Sequence, residues 1–379
     1  MVLEPATADE AAAIVADAAG TGRRVSIRGG GTKIGWGAAA SSPDVTVSTL
    51  ALNRVVAHRH GDLTATVEAG ARLDDVNREL ARQRQWIPLD PAWSDRATIG
   101  GIVATNDSGP RRHRYGAPRD LIIGVEIVRA DGVRAKAGGI VVKNVAGYDL
   151  SRLMTGSFGS LALVTSATFK LYPLPQASRT VAVDLPSHAA AAMLTASINA
   201  SQLTPTAVEL QVPPLRLLIR FESTSASVDA QSAAAASMAA ASGGAACIVD
   251  SEDEAREWRV HSERPWHGNG VVLKVTLLPA DLSNGLDAIR SAAAGSPYDV
   301  IGRAGVGVLL ARIDGDHALQ ARAIETLRSR VPLARGSVTV LRGREGLAVT
   351  SASGDVSRLM QAVRRSFDPS GVFANRSVE

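Results

Sequence analysis

A run of three glycines with basic neighbours is the part of this sequence whose residue types point most directly to a chemistry. The run reads Arg28, Gly29, Gly30, Gly31, Thr32 and Lys33. Glycine has no Cβ, so its backbone turns tightly and comes close to a ligand, and successive bare N–H groups form a concavity that binds anions. We therefore predict that this loop holds a pyrophosphate, with a plain glycine turn between two strands as the alternative.

The spacing of this run excludes two common nucleotide-binding motifs. In the dinucleotide fingerprint G-x-G-x-x-G, Ile34 stands where the third glycine belongs. In the P-loop a glycine precedes the lysine, whereas Thr32 precedes Lys33 here. A dinucleotide bound by this loop therefore requires a fold other than the Rossmann and P-loop folds.

A second group of basic side chains consists of Arg111, Arg112, His113 and Arg114. Arginine binds carboxylates through two parallel hydrogen bonds, so these residues are candidates for holding a substrate carboxylate. Solvated charge or a subunit contact is the alternative. We nominate His113 as a candidate catalytic base and leave the catalytic residues otherwise unassigned. No aromatic residues interleave with this charge, which argues against a nucleic-acid partner.

The histidines that could begin a metal site lack the further ligands that such a site needs. His58 and His60 alternate as on one face of a strand, and His267 opens the sequence His-Gly-Asn-Gly. Neither group has additional ligands at the spacing that zinc requires. We therefore predict no metal site and interpret these residues as surface or turn positions.

The composition is that of a globular protein with small aliphatic cores: of 379 residues, 45% are hydrophobic and 4% aromatic. A single cysteine, Cys247, excludes an internal disulfide and a cysteine-ligated iron–sulfur cluster within this sequence. The acidic N-terminal stretch does not resemble a secretory signal, and no apolar run is long enough to form a transmembrane segment. We expect a cytoplasmic protein.

The sequence around these motifs predicts an α+β fold in three segments. Residues 1–175 alternate short strands and helices, and the stretch from Thr98 to Gly109 is built of small residues, which suits a segment lying against a large flat ligand. Residues 176–345 show the pattern βαββαβ twice, as in ferredoxin-like folds, with a polar linker containing Trp258 and Trp266 between the repeats. Residues 346–379 predict a last helix and a tail.

As a set, these stretches resemble the FAD-binding domain of the vanillyl-alcohol oxidase / p-cresol methylhydroxylase (PCMH-type) flavoprotein superfamily. The resemblance is carried by residues 28–32, Thr98-Ile-Gly-Gly101, Ala104-Thr-Asn106, Tyr115-Gly116, Asp120, Gly156-Ser-Phe-Gly159, Lys170-Leu-Tyr-Pro173 and Asp368-Pro-Ser-Gly-Val-Phe373. Within the superfamily, residues 141–154 are most similar to the FAD-binding subunits of bacterial glycolate oxidases. Two departures are Ala162, where the family has glycine, and Ala374-Asn-Arg376, where it has Asn-Pro-Gly-Arg.

The resemblance implies a PCMH-type FAD-binding domain of two subdomains over residues 1–175, a ferredoxin-like α+β cap domain over residues 176–345, and a C-terminal segment, 346–379, that packs back on the FAD domain. It also implies that FAD is held by the glycine loop and by three further stretches. Their residues are Thr98, Ile99, Gly100, Gly101, Ala104, Thr105, Asn106, Ser108 and Gly109; Tyr115, Gly116 and Asp120; and Lys143, Val145, Gly147, Tyr148 and Asp149.

By the same resemblance, the chain is expected to be the FAD-binding oxidoreductase subunit of a glycolate oxidase complex that takes electrons from a small 2-hydroxy acid such as glycolate. A companion flavoprotein subunit and an iron–sulfur subunit are the implied partners, and any peripheral attachment to the inner membrane would come through them. Two alternatives stay open: a stand-alone FAD-dependent oxidase or dehydrogenase of another alcohol or hydroxy acid, and a flavin-free scaffold subunit.

Non-covalent attachment of FAD is predicted from one residue type. Relatives that bind flavin covalently through the diphosphate loop carry a histidine there, whereas this chain has Thr32, and Cys247 lies in the second domain. We therefore expect acid precipitation of the purified yellow protein to release all of the flavin into the supernatant, as measured by its absorbance. Flavin that stays on the washed pellet contradicts the prediction.

Overall fold

The computed structural model describes residues 1–37, 42–140, 149–331, 335–343, 347 and 354–374. Over these ranges helices and strands are mixed along the chain, and the strands form sheets of two, three, five and eight strands. This mixture confirms the predicted α+β class. No helix within these ranges is both long and apolar enough to cross a membrane.

A small parallel sheet carries the glycine loop at the end of one of its strands. Its elements are β1 (Val2–Leu3), α1 (Ala8–Gly20), β2 (Val25–Arg28) and β3 (Val45–Ser48). The strand order is β1-β3-β2, and both pairings are parallel. The buried side chains Ala11, Val15 and Ala18 of α1 belong to one core cluster with Val25 and Val47. The strand that leads into the glycines is therefore fixed by packing.

The rest of the N-terminal half is built around an antiparallel sheet. Its elements are β4 (Val55–Arg59), β5 (Thr64–Glu68), α2 (Leu73–Leu80), β6 (Gln85–Trp86), α3 (Ile99–Thr105), α4 (Arg112–Tyr115), α5 (Pro118–Leu121), β7 (Ile122–Val128), β8 (Arg134–Gly138), α6 (Leu150–Met154), β9 (Leu163–Lys170) and β10 (Tyr172–Pro173). Five of the strands pair in the order β4-β5-β9-β7-β8. Ile99 and Ile102 of α3 share a core with Val67 and Phe169 of the sheet, so α3 lies across it.

The second half of the chain forms one eight-stranded antiparallel sheet with helices. Its elements are β11 (Ala177–Asp184), α7 (His188–Ala200), β12 (Ala207–Val212), β13 (Arg216–Ser223), α8 (Ser225–Ala241), β14 (Ala245–Val249), α9 (Ser251–Glu263), β15 (Val271–Thr276), α10 (Leu282–Ala293), β16 (Tyr298–Arg303), β17 (Val308–Ile313), α11 (His317–Arg330) and β18 (Ser337–Arg342). The order is β14-β11-β13-β12-β16-β17-β15-β18, so two equivalent halves meet through β12 and β16. The duplicated βαββαβ pattern is confirmed, but α9 occupies what we expected to be only a polar linker.

The two faces of this sheet have different neighbours. One face, with Val181 and Leu273, packs against α7, α8, α10 and α11. The other face turns toward the N-terminal half, where Leu310 joins a cluster that contains Trp36. On the first repeat this face is also covered by α9, which inserts Trp258. Side chains of this second face are therefore the ones that can meet a ligand held by the N-terminal half.

The C-terminal residues return to the strand that precedes the glycine loop. After α12 (Gly354–Phe367), the buried carboxylate of Asp368 accepts the N–H groups of Val372 and Phe373 at 2.8 Å each. Val25 N–H donates to the Val372 carbonyl at 2.7 Å, and Ala374 N–H donates to the Val25 carbonyl at 2.8 Å. Residues 372–374 thus extend the edge of β2. The domain limits drawn from the sequence stay a prediction.

Candidate functional site

A cleft opens where β2 ends, and its walls come from distant parts of the chain. The glycine loop forms one wall, α3 with its N-cap Thr98 forms another, and Ala374 of the C-terminal segment adjoins them. The lining residues are Ser26, Ile27, Arg28, Gly29, Gly30, Gly31, Thr32, Lys33, Ile34, Trp36, Thr98, Gly101, Ala104, Thr105, Phe158 and Ala374. The fold therefore brings together the glycine loop and the small-residue stretch that the sequence singled out.

Glycine is required in this loop by close packing. A Cβ on Gly29 would overlap the hydroxyl of Thr98, and a Cβ on Gly30 would overlap the carbonyl oxygen of Arg96. Gly31 has a φ of +71°, a left-handed conformation that residues with side chains disfavour. The loop therefore presents its backbone, rather than side chains, along the edge of the cleft.

Most backbone N–H groups of the glycine loop are available to bind an anion. The N–H groups of Gly29, Gly31, Thr32 and Lys33 donate to no acceptor among the residues that the structure describes. Gly30 N–H donates to Thr98 Oγ1 at 3.3 Å. Successive free amides around such a turn form a nest for phosphate oxygens. The residues present therefore fit the pyrophosphate of FAD.

Lys33 supports the loop through an ion pair. Its ammonium lies 2.9 Å from Asp107 Oδ2 and 3.3 Å from the carbonyl oxygen of Ala92, and the residue is 8% exposed. Because Asp107 follows α3, the pair joins the glycine loop to the opposite wall of the cleft. The positive charge that we expected to flank a pyrophosphate is thus largely neutralised at Lys33, whereas Arg28 remains exposed.

The residues predicted to hold FAD fall into four groups. Those lining the cleft are Arg28, Gly29, Gly30, Gly31, Thr32, Lys33, Thr98, Gly101, Ala104 and Thr105. Asn106 and Ser108 line an adjoining cavity. Lys143, Val145, Gly147 and Tyr148 lie outside the described residues. The residues that line neither space are Ile99, Gly100, Gly109, Tyr115, Gly116, Asp120 and Asp149.

Several residues of this last group make contacts within the structure around the cleft. Gly100 lies against Ala69, so that an added Cβ would come within 2.8 Å of the alanine Cβ. Tyr115 packs edge-on against two other aromatic rings. Asp120 and Asp149 accept backbone N–H groups at 2.8 and 3.0 Å, near the starts of α5 and α6. These contacts lie within the local structure of the walls, and the assignment of these residues to the cofactor site stays a prediction.

A second cavity of about 200 Å³ continues from the cleft, because Trp36, Thr105 and Phe158 line both spaces. It lies between the end of α3 and the second face of the eight-stranded sheet. Its further lining residues are Asn106, Asp107, Ser108, Arg112, Lys274, Thr276, Arg303, Val308, Leu310, Ser337, Thr339 and Leu341. Drug-sized ligands occupy sites of roughly 300–1,000 Å³, so this cavity suits a molecule of few atoms.

The cavity is lined by the cationic side chains of Arg112, Lys274 and Arg303. Burial, reinforced by the charges of the two arginines, lowers the pKa of Lys274 to about 8. Burial also lowers the pKa of Arg112, and the charge of Arg303 acts in the same direction. Clustered, partly desolvated cations stabilise an anion, and a carboxylate has the oxygen pair that matches a guanidinium.

Arg303 links the eight-stranded sheet to the loop that follows α3. Its Nε lies 3.6 Å from Glu209 Oε1 and donates to the Gly109 carbonyl at 3.3 Å, and its Nη2 donates to the Ser108 carbonyl. Glu209 is fully buried, and its other carboxylate oxygen lies 3.0 Å from Nε2 of His261. This buried chain of contacts fixes the position of one cation of the cavity.

The basic cluster at residues 111–114 makes several different contacts. Arg112 lines the cavity, whereas the Arg111 Nη2 donates to Glu222 Oε1 at 2.7 Å and is thereby occupied. His113 packs against Gly305, and its Nδ1 is buried without a partner among the described residues. Burial lowers the pKa of His113. It lines neither the cleft nor the cavity, so its nomination as a base has no support from a contact with either space.

The histidines considered as metal ligands have ordinary surroundings. His58 Nε2 lies 2.8 Å from Oε1 of Gln85, and His60 belongs to the turn after β4 rather than to the strand. His267 is exposed, next to a short helical turn. Across the described part of the chain, no group of three or more metal-ligating side chains comes together.

Several lining residues were missed by the reasoning from sequence: Trp36, Phe158, Lys274, Arg303 and Ala374. Phe158 lies within a stretch that carried the family resemblance, and Ala374 begins the stretch named as a departure from it, but nothing local marked their side chains. Lys274 had a detectable signal, because it is a single charge within an otherwise apolar strand. A lysine at such a position is desolvated when the sheet is covered, so it needs an anionic or polar partner.

Comparison of the sequence with known proteins identifies the domain that carries the cleft. Residues 1–138 match the profile of a family described as "FAD binding domain". Over 192 residues, the chain is 35% identical to glycolate oxidase subunit GlcD of Bacillus subtilis (strain 168), covering 51% of this chain and 41% of that protein. Over 118 residues, it is 42% identical to glycolate oxidase subunit GlcE of Escherichia coli (strain K12), covering 31% and 34%. The matched stretches thus span well under two thirds of these relatives.

Solved structures share the fold over nearly the whole chain. An alkyldihydroxyacetonephosphate synthase superposes with a TM-score of 0.76 at 17% identity, covering 99% of this chain and 76% of that one. A chitooligosaccharide oxidase superposes with a TM-score of 0.71 at 14% identity, covering 100% and 91%. At these identities the likeness concerns the fold, and it confirms the PCMH-type architecture expected from the sequence.

Substituting Gly30 tests the assignment of the glycine loop. In Gly30→Ala the new Cβ meets the Arg96 carbonyl, so the loop shifts at a cost of about 1–3 kcal/mol, and FAD affinity falls about tenfold or more. Gly35→Ala is the matched control, because nothing lies within 4 Å of its added Cβ. Titration of the apoprotein with FAD measures both affinities. Equal affinity in the two variants would contradict the assignment.

The geometry and the comparisons agree on one cofactor. The loop offers free backbone donors to a pyrophosphate, the matched profile covers this loop and α3, and the neighbouring structures have the same architecture. FAD is therefore the cofactor of this protein. The chain has the PCMH-type fold, and its residues 1–138 match the FAD binding domain family.

Proposed function

We propose that this chain is the FAD-binding oxidoreductase subunit of a glycolate oxidase-type complex and that it acts on a small 2-hydroxy acid such as glycolate. The observation that carries the proposal is the small cationic cavity contiguous with the FAD cleft. Names of relatives support the substrate class, since they include two glycolate oxidase subunits and a D-lactate dehydrogenase of Archaeoglobus fulgidus that is 32% identical over 187 residues.

The residues of the cavity suit the binding and orientation of such a substrate. Arg112 and Arg303 offer planar donors to the carboxylate, and Lys274 adds a mobile ammonium. Trp36 and Phe158 line both the cleft and the cavity, so the passage between them has apolar walls. When bound, FAD accepts the hydride that an oxidised alcohol carbon releases. A hydrophobic wall and a fixed carboxylate together would hold that carbon toward the cofactor.

Electron transfer beyond the flavin is the reason for proposing partners. The sequence contains one cysteine, Cys247, so a cysteine-ligated iron–sulfur cluster needs another chain. We propose an iron–sulfur subunit and a companion flavoprotein subunit as partners, non-covalent FAD in this chain, and a cytoplasmic location with any attachment to the inner membrane made through the partners. The names of the GlcD and GlcE relatives, each a subunit, support an assembly of this kind.

The proposal is tested by purifying the chain alone and adding glycolate or lactate in the absence of oxygen. We expect yellow protein whose flavin absorbance is bleached by the hydroxy acid once the partner subunits are supplied. Bleaching without partners would instead establish a stand-alone dehydrogenase or oxidase. Folded protein that cannot be loaded with FAD would establish a scaffold. Yellow protein that no 2-hydroxy acid bleaches, with or without partners, would refute the substrate class.

Because the ammonium of Lys274 loses its charge as the pH rises, we expect carboxylate affinity to depend on pH. Lysine is charged below its pKa, and burial beside two arginines lowers that pKa to about 8. Affinity for oxalate, a non-reactive dicarboxylate, is therefore expected to be constant below pH 8 and to fall above it, by up to about tenfold per pH unit. Perturbation of the flavin spectrum of the FAD-loaded chain measures this affinity without turnover.

Variants separate Lys274 from other titrating groups. Lys274→Met removes one charge-assisted hydrogen bond, worth about 1.5–3 kcal/mol, so oxalate affinity at pH 7 falls about 10–100-fold and the fall above pH 8 disappears. Lys136→Met, which changes an exposed lysine on β8, is the control and leaves both unchanged. An unaltered pH profile in Lys274→Met would exclude this lysine from the binding site.

A further inference from the structure

A cleft apart from the cofactor site lies between residues 90–96 and helix α9. Its volume is about 530 Å³, and it shares no lining residue with the cofactor cleft or the adjoining cavity. Among its lining residues are Trp93, Arg111, Arg220 and Trp258. Arg220 belongs to β13 and therefore to the first repeat of the eight-stranded sheet, whereas the cations Lys274 and Arg303 belong to the second repeat.

Arg220 is buried without the hydrogen bonds that a guanidinium normally makes. The residue is 6% exposed, and its guanidinium carbon lies 4.1 Å from the centre of the Trp258 indole. Its Nε has no hydrogen-bond partner in the described part of the chain and lies 3.4 Å from Glu254 Oε1. That oxygen already accepts the hydroxyls of Ser178 and Thr180 at 2.8 and 2.6 Å. The guanidinium is thus paired in charge with Glu254, but its buried Nε makes no hydrogen bond, and a buried donor without an acceptor is costly.

The neighbouring charges do not supply that acceptor. Glu222 is bound by Arg111 through two guanidinium nitrogens, at 2.7 and 3.1 Å. Asp90 accepts the backbone N–H of Arg111 at 3.0 Å, and burial raises the pKa of its carboxyl to about 7. The lining of the cleft holds four carboxylates and four arginines: Asp74, Asp90, Asp95 and Glu263, and Arg96, Arg111, Arg220 and Arg259. Among these arginines, Arg220 is buried and makes no hydrogen bond through its Nε.

Two indole rings make the cleft suitable for a flat apolar group beside the anion. Trp258 lies under the Arg220 guanidinium, and Trp93 lines the same cleft. Trp93 has a φ of +57°, a left-handed conformation that is rare and energetically unfavourable for a bulky side chain. Such strained positions are concentrated at ligand sites, because the surrounding structure must hold them.

We propose that this cleft is a second ligand site, distinct from the flavin site, which binds a small aromatic carboxylate. The carboxylate would accept hydrogen bonds from the free donors of Arg220, and the ring would pack against the indoles of Trp93 and Trp258. The proposal is independent of the function proposed above, because none of these residues lines the cofactor cleft or its adjoining cavity.

Benzoate is the probe for this site, and titration calorimetry on the FAD-loaded full-length chain is the measurement. We expect saturable binding with one site per chain, and binding at least tenfold weaker in Arg220→Met, which keeps most of the apolar stem. Arg256→Met is the matched control: this arginine is exposed on α9, pairs with Asp253 and does not line the cleft. Lys274→Met is expected to leave the affinity unchanged, which separates this site from the cavity beside the flavin.

A fold defect is distinguished from a binding defect by Arg220→Lys, which keeps the charge and is expected to bind benzoate better than Arg220→Met. Thermal unfolding of each variant without benzoate shows that it is folded. Absence of benzoate binding to the wild-type chain, equal binding by Arg220→Met, or loss of binding in Lys274→Met would overturn the proposal. Binding of inorganic phosphate in preference to benzoate would overturn the assignment to an aromatic carboxylate.

Discussion

The contact between the glycine loop and the segment from Arg96 to Thr98 determines where the flavin nucleotide can lie. At Gly29 and Gly30 the two stretches are so close that neither position has room for a Cβ. The N–H groups of Gly29, Gly31, Thr32 and Lys33 have no partners in the described chain. The loop therefore packs directly against Thr98, and both line the same cleft. The ion pair of Lys33 with Asp107 holds the same two walls from the other end.

The charge of the adjoining cavity depends on how the eight-stranded sheet contacts the N-terminal half. Arg303 reaches from β16 to the carbonyl groups after α3, and the buried Glu209 and His261 stand behind it. Arg112 comes from the N-terminal half, and Lys274 from β15. Bringing these cations together in a partly dehydrated space is unfavourable in itself, and the lowered pKa of Lys274 reflects that cost. An anionic ligand, such as the carboxylate of the proposed substrate, would relieve this repulsion.

Patterns local in sequence predicted the framework well. The glycine run, the small-residue stretch and the duplicated βαββαβ order each depend on neighbours within a few tens of residues, and the structure contains all of them. Contacts between distant segments could not be predicted in this way. Nothing near Arg303 shows that it reaches the loop after α3, and the sequence at residues 111–114 does not show that Arg112 alone of that group lines the cavity. For Tyr115 and Asp120 the assignment to the cofactor site stays a prediction, because residues that support a wall and residues that face a ligand carry the same family resemblance.

The internal duplication of the eight-stranded sheet has a consequence for how this protein can diverge. In the second copy, Lys274 and Arg303 line the cavity that adjoins the cofactor cleft. In the first copy, Arg220 lies beside residues 90–96, and α9 covers part of the sheet. The two copies share one backbone plan and join at a single seam between β12 and β16. Substitutions in one copy can therefore change the ligand that it binds while the other copy keeps its own. In this way one chain can evolve two distinct sites, as separate proteins do after gene duplication.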